Sequence, residues 1–260
     1  MPIQNIFDSH AHYNDGRFDA DREELFASLP QQGVRRILHM GCDYATSLLS
    51  LEYQKAHPDL FFAAVGLHPE DIPQTGWEEE LARISALAEQ PEVVCVGEIG
   101  LDYYWDASRK ELQKQVFAAQ LELANRLGKP VSVHSREATG DCMELLTKYK
   151  PKGALHCFSG SAETAKEVVK LGMYLGFTGV LTFQGSKKAR AAVEVIPMDR
   201  LLLETDAPYM APVPCRGRRC DSSMIAHTAA VMAEIKGVST QEMVDQCTKN
   251  AYTMLGMDPQ

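Results

Sequence analysis

The sequence predicts an α/β chain folded as one parallel (β/α)8 barrel with an additional C-terminal helix, and three observations carry the prediction. Eight short apolar, β-rich runs recur along the chain, helix-like patterns separate them, and no long linker, low-complexity stretch or close repeat interrupts the alternation. With 260 residues, 45% of them hydrophobic, the chain can bury one large core of barrel size. Residues 1–260 are therefore expected to form a single domain.

The runs are, in order, IFDSH, RRILHM, FFAAVGL, VVCVGEIGL, PVSVHS, GALHCFSG, MYLGFTG and RLLLETD. Between the fourth and fifth, the segment from Glu111 to Leu127 brings Leu112, Val116, Ala119, Leu123 and Leu127 near one face of a helix. After the eighth, Ser223 to Lys236 and Thr240 to Leu255 read as two closing helices, the second with Ser239 or Thr240 as its N-cap.

Composition excludes several classes. No apolar run approaches the ~20 residues that span a bilayer, and no basic segment followed by an apolar stretch begins the chain, so a cytoplasmic protein without membrane partners is expected. The seven cysteines are odd in number, scattered and free of CxxC pairs, which argues against a disulfide framework and a thiolate zinc site and leaves them as small buried hydrophobes. The net charge of −9 opposes wholesale nucleic-acid binding. Two local clusters can still meet phosphates: Arg216, Arg218 and Arg219 in CRGRRC, and Lys187, Lys188 and Arg190 after Gly185, although solvated loops carry such runs more often.

The chemistry starts at IFDSHAHYN. In an extended strand His10 and His12 project to one side while Ser9 and Ala11 project away, so two imidazoles converge. An isolated HxH is a weak signal. Taken to their C-terminal ends, however, the strands offer His10 and His12, His68, Glu98, His134, His156 and Asp206 on six of eight runs. One histidine after an apolar strand is usually a satisfied structural residue. Six metal-competent ends opening onto one rim form a constellation, because barrel enzymes assemble their sites there.

Imidazole and carboxylate ligands without thiolates suit zinc, manganese or iron, and carboxylate sharing accommodates magnesium. Five or six donors exceed what one catalytic ion with an open position needs, so two divalent ions (Mg, Mn or Zn) are implied, with Glu98 the natural shared carboxylate. A hydroxide held between such ions is a nucleophile near neutral pH, and the inferred reaction is hydrolysis.

DxHxH at Asp8 to His12, GLHP at Gly66 to Pro69, GEIGLD at Gly97 to Asp102, HSR at His134 to Arg136, HCFSG at His156 to Gly160 and ETDAPY at Glu204 to Tyr209 together resemble the TatD family of metal-dependent deoxyribonucleases, from about Ile6 to Leu255. The resemblance implies a TIM-type barrel of the metal-dependent hydrolase superfamily and a divalent two-metal centre acting on DNA. It implies that His10, His12 and Asp206 hold one metal and His134 and His156 the other, with Glu98 bridging. His68 is then placed to meet a substrate phosphate, Asp206 doubles as acceptor of the water proton, and Glu204 supports the catalytic set from the same strand. Asp102 is a loop or capping residue on this reading, and Arg136 holds a phosphate or pairs with a carboxylate.

One departure falls in the loop after the eighth strand, where the family usually continues with Asn-Glu-Pro and this chain has Cys220, Asp221 and Ser222. Substrate specificity is the property this puts in doubt. The leading expectation is a phosphodiesterase, an exonuclease on single-stranded DNA or 3′ ends, with Arg218 and Arg219 meeting phosphates and affinity falling as salt rises. The alternative is an aminoacyl-tRNA deacylase specific for D-amino acids, or another ester or amide hydrolase, since fold alone does not set the reaction. Amidohydrolase relatives bridge their metals with a carboxylated lysine on strand four, whereas VVCVGEIGLD contains none. A protein whose metals only hold the barrel together is a third class, opposed by ligands dispersed around a rim. A monomer or weak oligomer is expected.

Overall fold

The computed structural model describes residues 3–258. Its framework is one sheet of eight parallel strands in sequential order: β1 (Ile6–Ala11), β2 (Val34–His39), β3 (Phe61–Val65), β4 (Val93–Asp102), β5 (Val131–Arg136), β6 (Gly153–Leu155), β7 (Tyr174–Phe177) and β8 (Leu201–Leu203). Helices α1 (Arg22–Ser28), α2 (Tyr44–Ala56), α3 (Trp77–Ala88), α4 (Lys110–Leu127), α5 (Thr139–Tyr149), α6 (Ala162–Lys170) and α7 (Lys187–Val195) fill the connections, as parallel pairing requires. No helix among the described residues is long and apolar enough to cross a membrane.

The seam between β1 and β8 closes beyond the strand ends. His12 N–H donates to Ala207 O at 2.7 Å and Asp206 N–H to His10 O at 2.9 Å, so candidate ligands themselves form the last rungs of the barrel. At the opposite end, α8 (Ile225–Lys236) leads into α9 (Thr240–Met254), whose Ser239 caps the Glu242 N–H as the sequence predicts. Asn250 of α9 donates to Leu201 O, and Tyr252 meets Phe7 edge-on at 5.3 Å, which seals the foot of the seam.

Three elements, α4, β4 and β8, differ from the sequence reading. The buried face of α4 is Gln113, Val116, Phe117, Gln120, Leu121, Leu123 and Ala124, so it includes two glutamines where only the apolar spacing was counted. Gln120 exchanges two hydrogen bonds with the Leu67 backbone and Gln113 two with that of Asp102, and these amides satisfy the strand ends that carry His68 and Asp102. The runs around Glu98, Glu204 and Asp206 also depart from their expected limits. β4 continues past Glu98 to Asp102 with a register irregularity between Val96 and Ile99, and β8 stops at Leu203. All seven cysteines are free; Cys95, Cys142, Cys220 and Cys247 are buried, while Cys42, Cys157 and Cys215 are half-buried.

Candidate metal centre

Six of the residues picked from the sequence meet at the C-terminal mouth of the barrel, and Glu98 lies at their middle. Its Oε2 is 3.2 Å from His10 Nε2 and 3.3 Å from His12 Nε2, and its Oε1 is 2.8 Å from His156 Nε2 and 3.0 Å from His134 Nδ1. The strand irregularity beside Glu98 aims this carboxylate across the barrel axis, the usual consequence of a bulge. Asp206, held at a positive φ of 59° just past β8, brings Oδ1 to 3.3 Å from His12 Nε2.

Three of the four imidazoles meet a hydrogen-bonding partner at the other nitrogen, while His156 Nδ1 is buried without one. His10 Nδ1 lies 2.9 Å from Ser132 Oγ, His12 Nδ1 3.7 Å from Cys42 Sγ, and His134 Nε2 2.9 Å from Asp102 Oδ2. His156 Nδ1 sits 3.6 Å from Glu204 Oε1. The Asp102 carboxylate can only accept, which puts the proton of a neutral His134 on Nε2 and leaves its inward nitrogen with a lone pair, whereas the Ser132 hydroxyl and the Cys42 thiol can donate or accept. Inward nitrogens consequently face each other, His10 Nε2 and His12 Nε2 at 3.1 Å, His134 Nδ1 and His156 Nε2 at 3.3 Å. Bare lone pairs at such distances repel unless a proton or a cation lies between them, so the donor set fits a metal cation as it fits a proton. Three donor triads have ligand atoms within 4.8 Å of one another: His10 with His12 and Glu98, His10 with His156 and Glu204, and His68 with Glu98 and His134, the last including a histidine whose orientation sets it apart.

The electrostatics agree. Burial pushes the Glu98 carboxyl up, but His156, His10 and His68 outweigh it and hold it well below the usual range. Burial works against a charged His156, yet Glu98 and Glu204 raise it to about 10. His10 goes the other way, lowered by burial and by the charge of His156. Protons on imidazoles thus balance the buried carboxylates in the metal-free protein, a role that cations take over on loading.

His68 belongs to the same cluster but is oriented differently. Its Nδ1 accepts from the Glu70 backbone N–H at 3.3 Å, so Nε2 carries the proton, 3.5 Å from Glu98 Oε1. A protonated nitrogen facing the centre donates to an anion and does not ligate a metal. Glu204 does not share a strand with Asp206, because β8 ends at Leu203. It lies buried behind His156, accepting from Cys157 N–H and from Ser9 Oγ. Gly176 on β7 is required there, since a Cβ would come within 2.1 Å of Glu204 Oε2.

The arginines separate. Arg136 is exposed at the rim with its guanidinium 3.9 Å over the Tyr104 ring. Arg218 is exposed. Arg219 is engaged elsewhere, in a two-point ion pair with Asp21 at 2.6 and 2.7 Å and over the Phe18 ring.

Sequence reasoning passed over three groups. Asp102, read as a loop residue, is buried and orients His134. Cys42 stands against His12, and no local pattern marks it. Asp8, quoted within DxHxH without a role, accepts from His10 N–H, Thr205 N–H, Thr205 Oγ1 and Ser222 Oγ, tying β1 to the segments after β8. Ser222, at the departure from Asn-Glu-Pro, also exchanges hydrogen bonds with the Tyr13 hydroxyl.

Comparison with known proteins matches this architecture. The family model described as "TatD related DNase" matches residues 7–256. The chain is 41% identical over 250 residues to the uncharacterized metal-dependent hydrolase YabD of Bacillus subtilis, covering 95% of this chain and 97% of that protein. It is 33% identical over 258 residues to the 3′-5′ ssDNA/RNA exonuclease TatD of Pantoea vagans, covering 96% and 98%. The crystal structure of YJJV, a TatD homologue from Escherichia coli K12, superposes with a TM-score of 0.90 at 30% identity, covering 96% of this chain and 97% of that one. A barrel whose mouth gathers this donor set, matched over nearly its whole length, belongs to the TatD family and is a metal-dependent hydrolase.

Proposed function

We propose that the protein is a two-metal phosphodiesterase that shortens single-stranded nucleic acid from an end. The observation that carries this reading is the division of Glu98, one oxygen toward His10 and His12, the other toward His134 and His156. His10, His12 and Asp206 would hold one ion, His134 and His156 the other, with Glu98 shared. Divalent ions bound there supply Lewis-acid stabilisation of a phosphoryl oxygen and lower the pKa of a water.

The remaining work falls to the chain. Asp206 is the most open carboxylate of the cluster, its side chain 14% exposed against 5% for Glu98, so its oxygen is the one that a water reaches. It takes the proton as the water oxygen bonds to phosphorus, and returns it to the leaving oxygen as the old P–O bond breaks. His68 Nε2–H donates to a non-bridging phosphate oxygen. Asp102 holds His134 in place by a hydrogen bond, and Glu204 sets a negative charge 3.6 Å behind His156. The exonuclease names carried by relatives support a nucleic-acid substrate.

The test is hydrolysis of an end-labelled single-stranded DNA oligomer by chelator-stripped protein refilled separately with magnesium, manganese or zinc, beside His134→Ala. Stepwise, metal-dependent shortening that the variant lacks is expected. Metal-loaded protein that leaves the oligomer intact under all three ions would move the assignment to ester or amide substrates.

A further inference from the structure

The β4–α4 connection presents two large aromatic side chains to solvent, Tyr104 at 50% and Trp105 at 62% exposure. The rings meet edge to face at 4.8 Å, and the Arg136 guanidinium lies 3.9 Å over Tyr104 and 5.4 Å over Trp105. Exposed apolar surface of this kind is costly to display without a function. Three observations say what covers it.

The first is position. A cavity of about 350 Å³ runs from the candidate ligand His156 to the rim, with Tyr104, Arg136, Glu137 and Lys188 on its walls. A chain that reaches from His156 to the rim of this cavity runs along Tyr104, and Trp105, off the cavity wall, is in edge-to-face contact with that ring. The second is charge. In a chain of net charge −9, this mouth carries two cations, Arg136 and Lys188, against the one carboxylate of Glu137, so an anionic chain is drawn here in preference to the rest of the surface. The third is stiffness. Asp102 Oδ1 accepts from the N–H groups of Tyr104 and Trp105 at 2.9 and 3.1 Å, while Oδ2 of the same carboxylate holds His134. One buried group therefore ties the backbone that carries the aromatic pair to the histidine at the candidate centre, which reduces the ordering a subsite needs.

We propose that Tyr104 and Trp105 form a stacking platform for unpaired bases next to the reacting phosphate, with Arg136 and Lys188 taking the flanking phosphates. The inference rests on the nucleic-acid reading above and names the feature of the substrate that the mouth selects. Aromatic faces accept any base, so the platform gives preference for single strands without sequence preference. A base inside a duplex keeps both faces covered and gains nothing from it.

The chain has two tryptophans, Trp77 at the start of α3 and Trp105, so Trp77→Phe leaves Trp105 as sole reporter. Oligodeoxythymidylate added to this variant in chelator should quench its emission, and the same oligomer with abasic sites should not. In the metal-loaded enzyme, abasic substitution at the terminal positions should raise KM about tenfold for wild type, the scale of one stacked base. Replacing both rings, Tyr104→Ala with Trp105→Ala, should erase that discrimination, and Tyr104→Phe with Trp105→Phe should restore it. Cleavage that ignores abasic sites, or discrimination that persists in the double alanine variant, overturns the platform and leaves the nuclease reading standing. Quenching and discrimination in binding without cleavage support the platform and overturn the nuclease reading instead. Neither quenching nor cleavage overturns both.

Discussion

Asp102→Asn replaces a single oxygen and should invert the chemistry of a ligand. The asparagine carbonyl stays where Oδ1 accepts from Tyr104 and Trp105 N–H, because turning the amide over would set its NH2 against two donors. The amide nitrogen then stands 2.9 Å from His134 Nε2 in place of Oδ2. Since an amide nitrogen only donates, His134 Nε2 must accept, and its proton moves to Nδ1, 3.0 Å from Glu98 Oε1. That proton occupies the lone pair that the proposed reading gives to a metal. Loss of an orienting carboxylate costs about 10–100-fold in metal affinity or activity, about 1.4–2.7 kcal/mol. Titration of stripped protein against a competing chromophoric chelator should show one of two binding steps weakened by this factor, with the melting temperature of the metal-free protein little changed. Wild-type affinity in both steps, or equal weakening of both, would refute the orientation argument.

Further predictions follow from the charges and hydrogen bonds. His156 is protonated in the metal-free protein up to about pH 10, so metal uptake should release protons and apparent affinity should climb as pH rises; calorimetry in buffers of different ionisation enthalpy measures this. With its pKa raised above the ordinary 6.5, His156 adds stability that is full below that pH and lost as pH climbs through about 10. Glu98, held below its ordinary 4.5, adds stability present above that pH and lost below it, so the chelated protein should melt highest between about pH 5 and 7. Asp8→Ala strands up to four donors at the β1–β8 seam and should destabilise by about 2–5 kcal/mol in chemical denaturation, whereas Ser222→Ala should cost about 1 kcal/mol. Arg136→Ala should weaken oligomer binding and reduce its salt dependence, read from the slope of log affinity against log salt.

The residues gathered at the mouth were legible in the sequence because each lies in the C-terminal part of a strand or just past its end, and the barrel brings strand ends together whatever the helices do. His10, His12, His134 and His156 needed only that rule. Glu204 was legible there as a support of the set, but Ser132, Cys42 and the part played by Asp102 were not, because these groups meet their histidines across separations no local pattern records. Ser132 reaches His10 across 122 residues and Asp102 reaches His134 across 32. Arg219 read as a phosphate contact because its neighbours are basic, yet Asp21 pairs with it from 198 residues away. Gln113 and Gln120 were overlooked for a different reason: periodicity counts apolar residues, and a buried amide that satisfies a strand end breaks that count while serving the fold.

The central claim is that Glu98 joins two ions. The most direct measurement is the number of manganese ions bound per chain at saturation by stripped protein, by elemental analysis, with electron paramagnetic resonance reporting whether they are coupled. Two exchange-coupled ions in wild type, falling to one or none in Glu98→Ala, are the predicted result. A single uncoupled ion in wild type, or two coupled ions surviving in the variant, would contradict the account.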